Sequence, residues 1–246
     1  MVFWILIVNF LNTNFVFAET CPANTHFVKA HSRSGYYRYD GVYVRPTHVS
    51  SSCRANPQGY DLWKDKLVDR APKGWPNKIE KFKRWTESER EQVIEALGRL
   101  PNELTNIKVK SIGRAAKSKD PNNPASNFDD SIVLYDSAFN SKGGVDRILA
   151  HELAHRYYKA QPDEFLSRYQ VSSLWYTSNP KTKNEKVLSL RDDFVAPDGT
   201  ESPEEDFANN VEYFLYDRKK LKTVSPSIES WLEINLGDKL RLKGVK

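Results

Sequence analysis

The segment His151-Glu152-Leu153-Ala154-His155 constrains the fold of this chain more than any other feature. Apolar residues recur along residues 145–159 at a spacing typical of a half-buried helix. Positions i and i+4 of a helix lie on one face, one turn apart. Two imidazoles placed in this way can bind one Zn²⁺ at about 2.0–2.1 Å each. The sequence therefore predicts a metal-binding helix in the middle of the chain.

Glu152 follows the first of the two histidines directly, so its carboxylate can reach a water bound to the same metal. Zinc-activated water beside a carboxylate general base is an arrangement of hydrolases. A chance His-Glu-x-x-His is expected roughly once in a hundred chains with this histidine content. We therefore expect His151 and His155 as zinc ligands and Glu152 as a catalytic residue. The alternative is an incidental pair of helix histidines.

A zinc site of this kind needs a third protein ligand and one open position. A third histidine at the short metzincin spacing is absent from the sequence. Downstream carboxylates cluster in residues 202–209, at the start of a predicted helix, and we expect Glu205 to be the ligand. Glu204 and Asp206 remain alternatives. Ser202 and Glu205 also have the spacing of a helix capping box, which is a purely structural explanation for the glutamate.

The two motifs together resemble the gluzincin class of zinc metallopeptidases. Within that class, the helix with Glu205-Asp206-Phe207-Ala208 is most similar to the anthrax-lethal-factor-like peptidases. The resemblance covers about residues 130–217. It implies an α+β zincin-like domain with a small mixed sheet and a helical C-terminal part. It also implies one Zn²⁺ per chain, held by the two histidines and Glu205, and a protein or peptide substrate.

Two positions depart from the pattern of these relatives. Asn209 stands where a second acidic residue is usual, and we expect its amide oxygen to accept a hydrogen bond from a ligand histidine. Asp198 stands where many relatives carry a tyrosine that stabilises the oxyanion. A carboxylate cannot donate to an oxyanion, so either catalysis is weak or another donor replaces the tyrosine. The replacements that the sequence offers are Tyr157, Tyr158, Tyr176 and Arg191.

Residues 1–18 are mostly apolar, lack charged side chains and end in the small residue Ala18. This run is too short and too interrupted by asparagines for a typical membrane-spanning helix. It is typical of a bacterial signal peptide cleaved after Ala18, which predicts a secreted or periplasmic protein. An uncleaved N-terminal anchor is the alternative.

Export changes the interpretation of the two cysteines, Cys21 and Cys53. An even number of cysteines in an oxidising compartment favours a disulfide. The chain-entropy estimate for such a loop is about 3–4 kcal/mol of stabilisation. Histidines between the cysteines make a metal site the alternative, but their spacing matches no compact zinc pattern.

The net charge of +5 is unevenly distributed along the chain. Residues 19–78 carry ten Lys or Arg and five Asp or Glu, whereas residues 79–246 are balanced. We therefore predict a basic, tyrosine-rich N-terminal module over 19–78, with a hairpin turn at Asp40-Gly41 and a linker near its end. Such a module could bind an anionic cell-envelope polymer, although an ordinary solvated face explains the charge equally well. Nucleic acid is not an expected partner.

Residues 79–246 have the pattern of an α+β domain. A capping box at Thr86 predicts a helix, and residues 106–115 predict a strand exposed on one face. We expect a loop over 116–130, a strand over 131–135 that borders the active-site cleft, and a polar loop over 177–202. The leading hypothesis is an exported zinc endopeptidase. The alternative is a weak or inactive zincin-like protein that binds the cell envelope through its N-terminal module.

Overall fold

A computed structural model describes residues 21–38, 40–76, 80–141, 143–177 and 187–244. The predicted signal peptide lies outside these residues. The strands are β1 (Thr25–Val28), β2 (His31–Arg33), β3 (Tyr36–Tyr37), β4 (Tyr43–Val44), β5 (Thr47–Val49), β6 (Ser52–Ala55), β7 (Leu67–Val68), β8 (Ser111–Arg114), β9 (Ala125–Phe128), β10 (Ser131–Leu134), β11 (Trp175–Thr177) and β12 (Val187–Ser189). The α-helices are α1 (Tyr60–Trp63), α2 (Glu87–Arg99), α3 (Asn102–Thr105), α4 (Asp136–Asn140), α5 (Gly144–Lys159), α6 (Asp163–Ser172), α7 (Pro203–Tyr216), α8 (Arg218–Val224) and α9 (Pro226–Leu236).

The N-terminal part, by which we mean the described residues of 21–58, consists of antiparallel strand pairs. These are β1 with β6, β2 with β5 and β3 with β4. The hairpin predicted at Asp40-Gly41 is confirmed, because β3 and β4 pair across that turn. Gly41 has a φ of 78°, a conformation that glycine adopts without a steric penalty. The Arg38 amide donates to the Val42 carbonyl at 2.9 Å and closes the turn.

The predicted disulfide between Cys21 and Cys53 is present. It joins the start of the described chain to β6, with the two Cα atoms 5.6 Å apart. Only Val28 and Val49 are buried apolar residues among the described part of 21–58. The cross-link therefore stabilises a segment whose own apolar core is very small.

A four-stranded mixed sheet lies in the larger part of the molecule, in the order β7-β8-β10-β9. β8 runs parallel to β7 and β10, and β9 runs antiparallel to β10. The strand predicted over 106–115 is present over 111–114, but the predicted exposure of one face was wrong. Its lysines precede the strand, and β8 itself is an interior strand with Ile112 fully buried.

β9 lies at one edge of this sheet, within residues predicted to be a loop. Its polar side chains and the turn residues around it gave no alternating apolar pattern. The interior strand β10 confirms the strand predicted at 131–135, but it does not border the cleft as an edge, because β8 and β9 flank it on both sides. The edge strand is β9. Residues 177–202 likewise include strand β12, which pairs with β11.

The helices form the main apolar core together with one face of the sheet. α2 begins at the predicted capping box of Thr86 and Glu89. α5 and α7 pack against each other through aromatic rings, with the rings of Tyr158 and Phe207 5.3 Å apart. These elements confirm the α+β class. None of the described helices has the length and apolar character that a bilayer span requires.

The N-terminal part contacts the start of α5. Gly144 begins this helix with a φ of 69°, and a Cβ atom placed on it would lie 2.8 Å from the carbonyl oxygen of Tyr37. That distance is shorter than a carbon and an oxygen tolerate, so only glycine fits between the helix start and strand β3. The first turn of α5 is thereby packed directly against the backbone of the N-terminal part.

Candidate metal centre

Helices α5 and α7 bring three predicted ligands together, and we call His151, His155 and Glu205 the metal cluster. The Nε2 atoms of the two histidines are 3.0 Å apart. Glu205 Oε2 lies 3.5 Å from His151 Nε2 and 3.3 Å from His155 Nε2. The helix pattern accounts for the histidines, and the Ser202 cap, which accepts from the Glu205 amide, starts α7 so that Glu205 falls in its first turn.

The triangle of these three atoms has the size that a tetrahedral zinc site requires. Bonds of about 2.0–2.1 Å at the tetrahedral angle separate neighbouring ligand atoms by about 3.3–3.4 Å. The observed separations of 3.0, 3.3 and 3.5 Å bracket that value. The metal cluster could therefore hold one metal ion with little movement of its side chains.

Glu204 lies outside the triangle and contacts the far side of a ligand ring. Its Oε1 is 2.8 Å from His155 Nδ1 and 2.8 Å from Lys159 Nζ. A carboxylate on the second ring nitrogen fixes the tautomer and orientation of a ligand histidine. Burial raises the pKa of Glu204, but the hydrogen bond with His155 and the ion pair with Lys159 lower it further, so the net shift is downward.

His151 has a carboxylate on its far side too, supplied by a residue that sequence reasoning missed. Glu212 Oε2 is 3.5 Å from His151 Nδ1, and Glu212 Oε1 accepts from Arg147 Nε at 2.8 Å. Asn209 was predicted to accept a hydrogen bond from a ligand histidine, and this was wrong for the described residues. Its amide group instead donates to Asp198 at 2.7 Å. Glu212 lies seven residues after Glu205, two helical turns on, and that spacing was the available signal.

Asp206 points away from the metal cluster into a group of buried polar side chains that we call the buried network. Its carboxylate accepts from Tyr169 Oη at 2.8 Å and Trp175 Nε1 at 3.1 Å. Arg191 forms an ion pair with it at 3.1 Å. The members of the buried network are Tyr169, Trp175, Arg191, Asp193, Asp206, Asn210 and Ser225.

The carboxylates around the metal cluster shift its protonation. Burial lowers the pKa of His151, but its contacts with the carboxylates of Glu205 and Glu212 raise it more, so the net shift is upward. Burial also lowers the pKa of His155, and Glu204 and Glu205 reverse that effect. The same contacts hold the pKa of Glu205 well below its usual range despite burial. A metal ion must therefore displace protons from the histidines when it binds.

Glu152 is only 7% exposed, and its side chain lines the same cavity as the metal cluster. Burial raises its pKa, and the nearby histidines offset part of that rise. Asn127 on β9 donates from Nδ2 to Glu152 Oε2, and to the Glu152 carbonyl oxygen at 3.0 Å. The predicted general base and the predicted ligands thus meet on one cavity wall.

The cavity has a volume of about 590 Å³ and lies between β9 and the N-terminal end of α7. None of the four predicted oxyanion donors is among its described lining residues. Tyr157 stacks on Phe207, Tyr158 accepts from Gln170, Tyr176 is exposed on β11 and Arg191 belongs to the buried network. The side chains that line the cavity and carry a donor group besides the histidines are Asn122, Asn123, Ser126, Asn127, Lys159 and Asn209.

In comparisons with protein-family models, curated proteins and solved structures, nothing matches this chain. The resemblance to gluzincins therefore rests on the residues of the two motifs and on the positions at which α5 and α7 hold them.

Proposed function

We propose that this protein is an exported zinc-dependent endopeptidase with a zincin-like domain of the gluzincin type. The observation that carries the proposal is the triangle of His151, His155 and Glu205, sized for zinc, with Glu152 beside it on the wall of an open cavity. A site that only stabilised the fold would have all its ligand positions closed and would gain nothing from a buried carboxylate at its edge.

In the proposed mechanism, the residues around the cavity have separate roles in peptide hydrolysis. Zinc, when bound, would polarise the scissile carbonyl and make its water acidic. Glu152 would accept a proton from the attacking water and deliver it to the leaving amine. The raised pKa of Glu152 suits this exchange, since a carboxylate with a raised pKa is a stronger base towards a water proton.

The edge strand β9 gives the cavity a wall on which an extended peptide can bind. Ala125, Ser126 and Asn127 line the cavity, and within the described chain only β10 pairs with β9. The outer backbone groups of β9 can therefore hydrogen-bond a substrate backbone as an added strand. Recognition through the main chain favours a cut within a polypeptide over release of a terminal residue.

The test combines metal analysis with two variants of the mature protein. Wild type should hold one zinc per chain, and Glu205→Ala should lose it. Glu152→Gln should keep zinc but hydrolyse a mixed peptide library about 10²–10⁴-fold more slowly, the usual contribution of a general base. Glu164→Gln, an exposed change on α6, is the control and should match wild type. Equal rates of hydrolysis by Glu152→Gln and wild type would contradict the role of Glu152 as general base.

A second function is favoured by one specific observation, the carboxylate of Asp198 at the place of the family's tyrosine. A zincin-like protein with weak or no catalysis could instead bind an anionic cell-envelope polymer through residues 19–78. Sedimentation of the mature protein with an anionic polysaccharide, reversed by about 0.5 M salt because charge attraction is screened, together with no hydrolysis by wild type, would support this function over the first.

A further inference from the structure

The carboxylate of Glu152 is held by a residue that no motif includes. Asn127 Nδ2 donates to Glu152 Oε2 and also to the carbonyl oxygen of the same residue, at 3.0 Å. A primary amide has two N–H groups, so both can be directed at Glu152. The side chain of Asn127 thus ties the carboxylate of Glu152 to the backbone of its own helix.

This contact is built on regular structure at both ends. Asn127 lies within β9, in register with Ile132 of the interior strand β10. Glu152 lies in the middle of α5, where its backbone position is set by the helix. Side chains anchored on a strand and a helix keep a more precise geometry than side chains on loops. The distance between sheet and helix therefore determines where the carboxylate points.

The two oxygens of the Glu152 carboxylate are used differently. Oε2 accepts from Asn127, whereas no hydrogen bond to Oε1 occurs within the described part of the chain. One oxygen is thereby fixed and the other is left for a water or a substrate proton. The amide oxygen of Asn127 is buried and has no hydrogen-bond partner among the described residues. Burial of an unsatisfied acceptor is unfavourable, so simple packing does not account for an asparagine here.

We propose that Asn127 is a positioning residue that orients the Glu152 carboxylate for proton transfer. The inference rests on the proposed peptidase function. Asn127 makes no hydrogen bond to the three ligand atoms, and its Nδ2 is engaged by Glu152. Its effect is on the rate of proton transfer rather than on binding of metal or peptide.

The experiment compares Asn127→Asp and Asn127→Ala with wild type in zinc-loaded protein. Aspartate has the shape of asparagine, but a carboxylate oxygen takes the place of the amide donor and faces the carboxylate of Glu152. We expect kcat to fall about 10–100-fold, as for other residues that orient a catalytic centre. KM should stay within about twofold and zinc at one per chain. Asn102→Asp makes the same change of charge at an exposed position outside the cavity, and should keep its kcat.

A double-mutant cycle separates positioning from a general structural role. In the Glu152→Gln background, Asn127→Ala should change the residual rate by less than about twofold, because residues that act as a unit are not additive. Full additivity would overturn the proposal. The side-chain ¹⁵N–¹H signals of Asn127 give a readout apart from activity, and they should shift in Glu152→Ala but not in Glu164→Gln.

The outcomes for this inference and for the proposed function are distinct. If wild type hydrolyses peptides and Asn127→Asp keeps the wild-type kcat, the inference fails alone. If wild type binds zinc but hydrolyses no peptide, the peptidase function fails and the inference fails with it. A fall in kcat that comes with loss of zinc, or with an equal fall in Asn102→Asp, overturns the positioning role while leaving the peptidase function intact.

Discussion

Glu205 and Asp206 are neighbours in the first turn of α7, yet they belong to two different kinds of polar cluster. Glu205 faces the cavity and converges with two histidines. Asp206 is 1% exposed and faces the opposite way, into the buried network. The contacts of Glu205 hold its pKa down, whereas burial raises the pKa of Asp206 more than Arg191 lowers it.

The Asp206 carboxylate and the metal cluster differ in whether their hydrogen bonds are complete. In the buried network, Tyr169, Trp175 and Arg191 all donate to Asp206, and Asn210 donates to it as well. In the metal cluster, three ligand atoms point at one another, and His151 Nδ1 is buried without a hydrogen bond to any described residue. A carboxylate that several buried donors already satisfy is structural, and a convergent set of ligand atoms that is incomplete is suited to bind a metal.

Removal of the carboxylate at the centre of the buried network should have the largest effect on stability. Asp206→Ala leaves Arg191 without its buried partner and deprives Tyr169 and Trp175 of an acceptor. We expect the free energy of unfolding to fall by about 3–5 kcal/mol, measured by chemical denaturation. The folded fraction should still bind one zinc.

The exposed carboxylate of Asp238 gives the control for that variant. Its side chain is 99% exposed, so Asp238→Ala should change the free energy of unfolding by less than about 0.5 kcal/mol. Equal stability of Asp206→Ala and wild type would contradict the structural role of the buried network, as would a zinc site lost from protein that is still folded.

A smaller effect, on metal affinity rather than stability, is expected for Glu204→Gln. The change removes the charged acceptor on His155 Nδ1 while keeping the shape of the side chain. Zinc affinity should fall about 10–100-fold, measured by competition with a chelator. Glu201→Gln lines the same cavity without a contact to a ligand and should bind zinc as wild type does. An unchanged affinity in Glu204→Gln would mean that Glu204 does not orient His155.

The smallest expected effect concerns pH and again separates the two clusters. In metal-free protein the pKa of each ligand histidine is raised by its carboxylates, so protons are still bound at neutral pH. Zinc needs the neutral imidazole, and the 3.0 Å contact between the Nε2 atoms leaves room for one proton between them. Zinc affinity should therefore fall at least about tenfold for each pH unit lost near neutrality.

Calorimetry in buffers of different ionisation enthalpy would measure the proton released on zinc binding. Release of at least one proton per zinc at neutral pH is the expected result. Binding without proton release would contradict the protonation of the metal cluster. Asp206→Asn, which changes only the buried network, should release as many protons as wild type.

Local signals predicted the helices that carry the metal cluster but not the strand beside it. The histidine spacing and the Ser202 cap are encoded within a few residues, so α5 and α7 could be placed from sequence. β9 has four residues with two polar side chains, and its pairing with β10 defines it. The contact of Asn127 with Glu152 depends on that pairing, so no pattern along the chain could have predicted it.

The same reasoning explains why the sequence alone left Glu204 and Asp206 as alternatives to Glu205. Glu204, Glu205 and Asp206 are consecutive carboxylates, and a helix turns about 100° between neighbours. Glu204 contacts the far side of the His155 ring, Glu205 faces the two Nε2 atoms, and Asp206 lies in the buried network. A sequence places them in one turn, but only the packing of α7 against α5 decides which one faces the histidines.

The disulfide between Cys21 and Cys53 has a consequence for how active protein can be prepared. It closes the N-terminal part, whose Tyr37 carbonyl rests against Gly144 at the first residue of α5. Protein produced in a reducing cytoplasm would lack this cross-link, and the support at the start of that helix would be weakened. Zinc content would then vary with the host compartment and the refolding protocol, so the oxidation state of each preparation should be assayed before its activity is judged.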